Sequence, residues 1–263
     1  MMATTNGRDT TANLNDEEQP LLGGSQPSSS GWRKRLNANV HRDWADIILL
    51  LCYVITGVLD SASISTWGSF VSMQTGNTVY IGLGIASPAE SKRWIKSGIS
   101  LISFCVGSFF FSRFHRHFTP SRRWVLCMSF TVQMAFIIVA ASIVTWVPRS
   151  ENELHWSVLV PIALVAFQSC GQAVTSRALK YNALTSVVLT SIYCDLFSDA
   201  ELFAQYNIER NRRAAAPVLL MIGAVLGGVL ARSSLGAEGA LWIAAGMKLL
   251  VVVSWYLWRE EDE

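Results

Sequence analysis

The stretch from Gly68 to Gly84, GSFVSMQTGNTVYIGLG, decides how this chain is read. Its ends are apolar, yet its middle sets Gln74, Thr75, Gly76, Asn77 and Thr78 side by side. The surrounding chain is 51% apolar and 15% charged, with a positive mean hydropathy. Working outward from this segment, apolar stretches of bilayer-spanning length recur at about 46–66, 94–114, 124–147, 155–175, 214–232 and 239–258. A soluble domain of this size would need charged faces between such stretches, whereas here the charges sit in short loops and the two tails. The expected fold is therefore an all-α polytopic membrane protein of six transmembrane helices. Two shorter segments, about 69–86 and 183–198, are apolar but interrupted by polar residues, and are expected to be broken or re-entrant.

Basic residues arbitrate whether those two segments cross. If neither crosses and the N-terminus is cytosolic, the inside loops hold Arg113, Arg116, Arg122, Arg123, Arg177, Lys180, Arg210, Arg212 and Arg213. The outside loops then hold Lys92, Arg93, Lys96, Arg149 and Arg232. That distribution obeys the positive-inside rule and places both termini in the cytosol. Three spans in each half would make the halves, 46–147 and 155–258, repeats of inverted topology within a transmembrane domain of 46–258. Thr75-Gly76 can be laid on Thr190-Ser191, and little else matches in residue identity.

Residues 1–31, rich in Ser, Thr, Asn, Gln and Gly, are expected to form a disordered cytosolic tail. Within it EEQPLL, with Glu17, Leu21 and Leu22, resembles the acidic dileucine signals that cytosolic sorting adaptors read on vacuolar and endosomal membrane proteins; otherwise the plasma membrane is expected. Over 32–45, Trp32, Leu36, Val40 and Trp44 recur every four residues among basic side chains. That spacing suits an amphipathic helix lying on an anionic membrane face, or a basic flank that only sets topology. Residues 259–263 form a short acidic tail.

Polar chemistry at membrane depth supplies the candidate site. Gly76, Gly82 and Gly84 make the first short segment easy to unwind, and Gln74, Thr75, Asn77 and Thr78 offer donors and acceptors to freed backbone or to a ligand. Lys248 lies midway along the last span, where a charge costs roughly 2.5–3.5 kcal/mol, so it should face a cavity or pair with Asp60 or Asp195. Asp195 lies in the second short segment, with Asp199 one turn on, either at depth or at the cytosolic surface. Thr56, Asp60 and Ser63 share one helix face, as do Gln168 and Gln172. Gly223 and Gly227, with Gly228 beside them, form a small-residue face for close helix packing.

Gly57-Val-Leu-Asp60, then Phe70 and Met73-Gln-Thr-Gly-Asn-Thr-Val79, resemble the YoaK-like family of small membrane proteins, classed as a domain of unknown function. The resemblance covers about residues 45–258 and implies Asp60, Thr75, Gly76 and Asn77 as signature positions. Ser61 stands where alanine is common in the family, and Gln74 separates Met73 from Thr75. The family brings no reaction or substrate with it.

Two functions stay open on these residues. In the first the chain is a secondary transporter or exchanger of a small polar solute or ion, bound between the two short segments. Thr75, Asn77, Thr190 and Ser191 would then offer ligand groups, Asp60 a coupling-ion or proton site, and Lys248 a counter-charge. In the second it is a membrane scaffold or assembly factor whose polar residues satisfy an irregular bundle. An enzyme is not expected: His41, His115, His117 and His155 fall in tails or loops and no catalytic arrangement appears. The five cysteines stand one per apolar segment and read as small hydrophobes, so no metal or cofactor is implied. The basic clusters are juxtamembrane and are accounted for by topology, so no nucleic-acid partner is implied; the lipid bilayer is.

Overall fold

A computed structural model describes residues 35–41, 45–148, 150–181 and 184–259. Among them eight helices follow in chain order: α1 Ala45–Trp67, α2 Gln74–Ala86, α3 Arg93–His117, α4 Arg123–Trp146, α5 Trp156–Ala178, α6 Thr190–Phe197, α7 Ile208–Arg232 and α8 Gly236–Leu257. Six of these, all but α2 and α6, are long and apolar enough to cross a membrane. The bundle's outer surface is apolar: Ile102, Val106 and Phe109 on α3 and Met221, Val225 and Val229 on α7 are all exposed. Exposed apolar faces of this extent fit lipid as solvent, and the chain is an integral membrane protein.

Sequence alone places the start of the fifth span at about 214. The helix begins six residues earlier, at Ile208, because its charged first turns have partners outside the apolar run. Asn207 caps it by accepting from the Arg210 amide at 2.9 Å. The Arg210 guanidinium donates to the carbonyls of Leu202 and Ala204, Arg212 pairs with Asp46 at 2.8 Å, and Arg213 with Asp199 at 3.1 Å.

α1 and α5 are the most enclosed spans. α1 packs on α7, α8 and α5, while α5 packs on α3, α4 and α1; α4 also packs on α8, α7 on α8, α2 on α3 and α6 on α7. The α1–α7 contact is backbone against backbone. A methyl group on Gly57 would overlap the Leu220 carbonyl, one on Gly223 the Val54 carbonyl, and one on Gly227 that of Val58. The small-residue face expected at Gly223 and Gly227 is thus used, whereas a methyl on Gly228 would meet open space. On the other side of the bundle, Gly107 of α3 lies on the Phe167 carbonyl of α5 in the same way.

The described chain ends meet at one end of the bundle. Arg123, fully buried, donates to the carbonyls of Arg35 and Trp258 at 2.7 and 2.6 Å, and the His41 amide donates to the Arg259 carbonyl at 3.1 Å. This differs from the amphipathic helix expected over 32–45. In the described part, residues 35–37 form one helical turn, Asn39 bridges to Arg122, and Val40 is buried in the main core instead of facing lipid headgroups. Residues 32–34 and 42–44, the Glu17, Leu21 and Leu22 motif with the rest of the tail over 1–31, and most of the acidic tail over 259–263 lie outside the described residues.

Candidate functional site

α1 stops at Trp67, and Gly68, at φ +75°, turns the chain back along it. The Gly68 carbonyl accepts from the Arg93 guanidinium. Residues 69–73 are not helical, so their backbone groups need outside partners, and α1, α3 and α5 supply several of them, with α2 adding more. From α1, Ser63 donates to the Ser69 carbonyl at 2.7 Å. Asp60 Oδ1 accepts the amides of Val71 and Ser72, both at 2.9 Å, and its Oδ2 accepts the Ser72 hydroxyl. From α3, Ser100 donates to the Phe70 carbonyl at 2.7 Å; from α5, Ser169 donates to the Val71 carbonyl at 2.9 Å. The chain then leaves as α2, which runs along α3 until Gly84 lies flat on Trp94, with Arg93 stacked 3.5 Å over the Tyr80 ring.

The polar run of five divides by face. Asn77, with no exposed surface, clasps the loop: its Oδ1 accepts from the Phe70 amide at 3.1 Å and the Ser69 hydroxyl at 3.2 Å. Its Nδ2 donates to the Phe70 carbonyl at 2.8 Å and to Gln74 Oε1 at 2.9 Å. Gln74 Nε2 donates in turn to the Val71 carbonyl at 3.1 Å. Thr78 bonds back to the Gln74 carbonyl on an exposed face. Thr75 is exposed, and Gly76 has no side chain because the Phe70 ring lies where one would go, 2.9 Å from a Cβ position.

The second segment is shorter than the sequence suggests. Only Thr190–Phe197 is helical, and the chain before it is irregular, with Ser186 at φ +59° and the Tyr53 hydroxyl bonded to its backbone. The two irregular stretches face one another across a cavity of ≈ 560 Å³. Its walls are Thr56, Gly57, Asp60, Ser61 and Ile64 of α1, residues 70–79 in part (Phe70, Ser72, Met73, Thr75, Gly76 and Val79), Ser186 to Thr190, and Leu220 and Ala224 of α7. The start of α2 and the start of α6 thus open onto one space, with Asp60 as the one charged residue in its walls among the described residues.

Of the other candidates, Ser191 and Asp195 are exposed on α6 and do not line this cavity. Asp199 lies beyond α6, where it holds Arg213 and Asn207. Asn77 is close to the cavity but enclosed by the loop it fastens. Among the described residues Lys248 meets no carboxylate; fully buried, it donates to Gln133 Oε1 at 2.6 Å and Gln172 Oε1 at 2.9 Å. Gln172 in turn donates to Thr56, while Gln168 is buried on the same face. The pairing of Lys248 with an acid fails because Asp60 is turned to the loop amides and Asp195 faces outward.

His115, expected in a loop, lies in the last turn of α3, 4% exposed, with its Nε2 3.1 Å from the Thr175 hydroxyl. Sequence reasoning missed it, along with Ser100 and Ser169, because single small polar residues in apolar runs carry no signal of their partners. At the bundle end where α3 and α5 begin, Lys96 bonds Glu153 at 3.0 Å. That bond and the lysine's charge hold the Glu153 carboxyl below its ordinary range. Among the described residues no cluster of His, Cys, Asp or Glu has metal-binding geometry, and the five cysteines are free, Cys52 and Cys170 buried and Cys105 and Cys194 exposed.

Six apolar spans around an irregular, internally bonded pair of segments define a multi-pass integral membrane protein. Residues 48–254 match the model of the family described as protein of unknown function, DUF1275, and the chain belongs to that family. The resemblance carried by Gly57 to Asp60 and Met73 to Val79 is borne out. Neither a curated protein nor a solved structure matches the chain.

Proposed function

We propose that the protein is a secondary transporter or exchanger of a small polar solute or ion, and that the cavity between the two short segments is its binding site. One observation carries the reading: both irregular stretches, one from each half, end at the same cavity, where helix starts and an aspartate are presented together. Half-helix starts direct unpaired amides and the positive end of the helix dipole into such a space. Asp60 balances that polarity, and Thr75 and Thr190 offer hydroxyls to a solute.

In this reading α2 and α6 are re-entrant. Residues 69–73 are fastened to Asp60 and Ser100, each seven residues inside its helix end, so α2 starts roughly 10 Å below the surface at 1.5 Å per residue. The halves form an inverted repeat, supported by the packing: exchanging α1–α4 with α5–α8 takes the α1–α7 contact onto α5–α3, α4–α5 onto α8–α1, and α2–α3 onto α6–α7. Gly107 on the Phe167 carbonyl is the counterpart of Gly223 on the Val54 carbonyl. The α7–α8 contact has no equal between α3 and α4. Both termini are cytosolic in this reading, since the described chain ends, Arg35 and Arg259, share the bundle end that carries Arg113, Arg116, Arg122, Arg177, Arg212 and Arg213. The dileucine-like motif then faces sorting adaptors and favours a vacuolar or endosomal membrane.

The scaffold reading is favoured by Asn77 and Lys248, whose polar atoms are spent on internal bonds. Accessibility separates the two. In a background lacking Cys52, Cys105, Cys127, Cys170 and Cys194, Thr75→Cys and Thr190→Cys should react with a membrane-impermeant thiol reagent from either side of sealed vesicles. Reaction from one side alone, or from neither, would favour the scaffold.

A further inference from the structure

The polar residues behind the cavity form a connected system that the solute site does not use. Starting at Thr56 on the cavity wall, Gln172 Nε2 donates to Thr56 Oγ1, and Lys248 Nζ donates to the Oε1 atoms of both Gln172 and Gln133. Gln133 Nε2 donates to Ser129 Oγ at 3.4 Å, Ser129 lies 3.5 Å from Thr175 Oγ1, and Thr175 meets His115 Nε2. None of these seven residues is more than 4% exposed, and they come from α1, α5, α8, α4 and α3.

At its centre is an amine with no ion-pair partner among the described residues. Coulombic compensation for an ammonium there is limited to two amide dipoles and the face of Phe130, 4.9 Å from Nζ. The titratable groups facing it are the thiols of Cys52 on α1 and Cys170 on α5, while α4 presents Gln133 and Phe130. A neutral amine keeps two N–H groups, enough for both amide oxygens. Both protonation states therefore satisfy the two amide oxygens, and changing between them need not break either of those hydrogen bonds. The charge is felt at the cavity, because an ammonium polarises Gln172 and strengthens its donation to Thr56.

We propose that Lys248 is a proton-binding site coupled to the solute cavity, with Gln172 and Thr56 reporting its charge to the cavity and Gln133, Ser129, Thr175 and His115 forming the polar approach from the opposite end. In one cycle the ammonium releases one proton to solvent and the amine takes one back, so the site's charge changes by one each way. This rests on the transport reading above. The test is charge displacement after a rapid pH jump, recorded from proteoliposomes on a solid-supported membrane without added solute. Wild type gives a transient current, Lys248→Met and Gln133→Leu lower it at least tenfold, and Gly228→Val, a change into open space, retains it. Equal currents in wild type and Lys248→Met, or none from folded wild type, overturn the inference. Loss in Asp60→Asn with retention in Lys248→Met also overturns it, moving the proton to Asp60 while leaving the transport reading intact. Should Lys248→Met fail to fold, Gln133→Leu, which keeps the lysine, decides. Failure of the solute site itself is read separately, by ligand-induced thermal shift at constant pH.

Discussion

Asp60 and Ser72 hold one another twice: the Ser72 amide donates to Asp60 Oδ1 at 2.9 Å and the Ser72 hydroxyl to Oδ2. The aspartate is thereby both a wall of the cavity and the clamp that shapes it. Asp60→Asn keeps an acceptor for the two amides and is expected to lose about 1–2 kcal/mol, the difference between charged and neutral hydrogen bonds. Asp60→Ala orphans both amides and should lose more. Thermal unfolding of the detergent-purified variants should rank wild type above Asn above Ala; an alanine variant as stable as wild type would show that the clamp is not formed.

Asn77 and Thr75 should separate stability from binding. Asn77→Ala leaves the Phe70 amide without its Oδ1 acceptor inside the bundle, for a loss of about 1–3 kcal/mol. Thr75→Val, on the exposed cavity side, should stay within about 0.5 kcal/mol of wild type. Unfolding midpoints measured side by side check the order, and a neutral Asn77→Ala would contradict the clasp.

Close packing of α1 on α7 gives a positional test. Gly223→Val forces a side chain into the Val54 backbone, whereas Gly228→Val points into open space. Overpacking typically costs about 1–3 kcal/mol, so the first variant should lose monodispersity or thermal stability and the second should behave as wild type in gel filtration. Equal behaviour would place the helices further apart.

The Lys96–Glu153 pair predicts a pH dependence with a definite sign. Because Glu153 is held below its ordinary range in the folded protein, the pair's contribution is complete above the unfolded carboxylate range and fades as pH falls through the folded one. Glu153→Gln should therefore lower stability slightly at neutral pH and flatten the dependence on the acid side. Both residues line the opening beside Trp67, so the change is read best as a small shift in midpoint between neutral and acid buffers.

How much of this could be read from the chain depends on what kind of signal each feature leaves. The spans were legible because lipid demands long apolar runs, and Gly223 with Gly227 because close helices demand small residues at that spacing. The broken segment was legible as polar, and Asp60, Thr75, Gly76 and Thr190 do meet at one cavity. The division of labour inside the run was not: spacing cannot tell that Asn77 turns to Phe70 while Thr75 turns away. Lys248 demanded a partner, but its amide partners, Gln133 and Gln172, lie 115 and 76 residues away in sequence, and such pairings are fixed only by packing. The start of α7 was missed for a related reason, since Arg212 finds Asp46 at 166 residues' separation.

The central claim is that the cavity binds a solute. Its most direct measurement is a thermal-shift screen of purified wild type against small metabolites, inorganic ions and a pH series, run beside Thr75→Val and Thr190→Val. At least one compound should raise the wild-type midpoint and lose that effect in one or both variants, whose own stability is unchanged. A folded, monodisperse wild type that no compound stabilises, or a stabilisation indifferent to both substitutions, would contradict the claim.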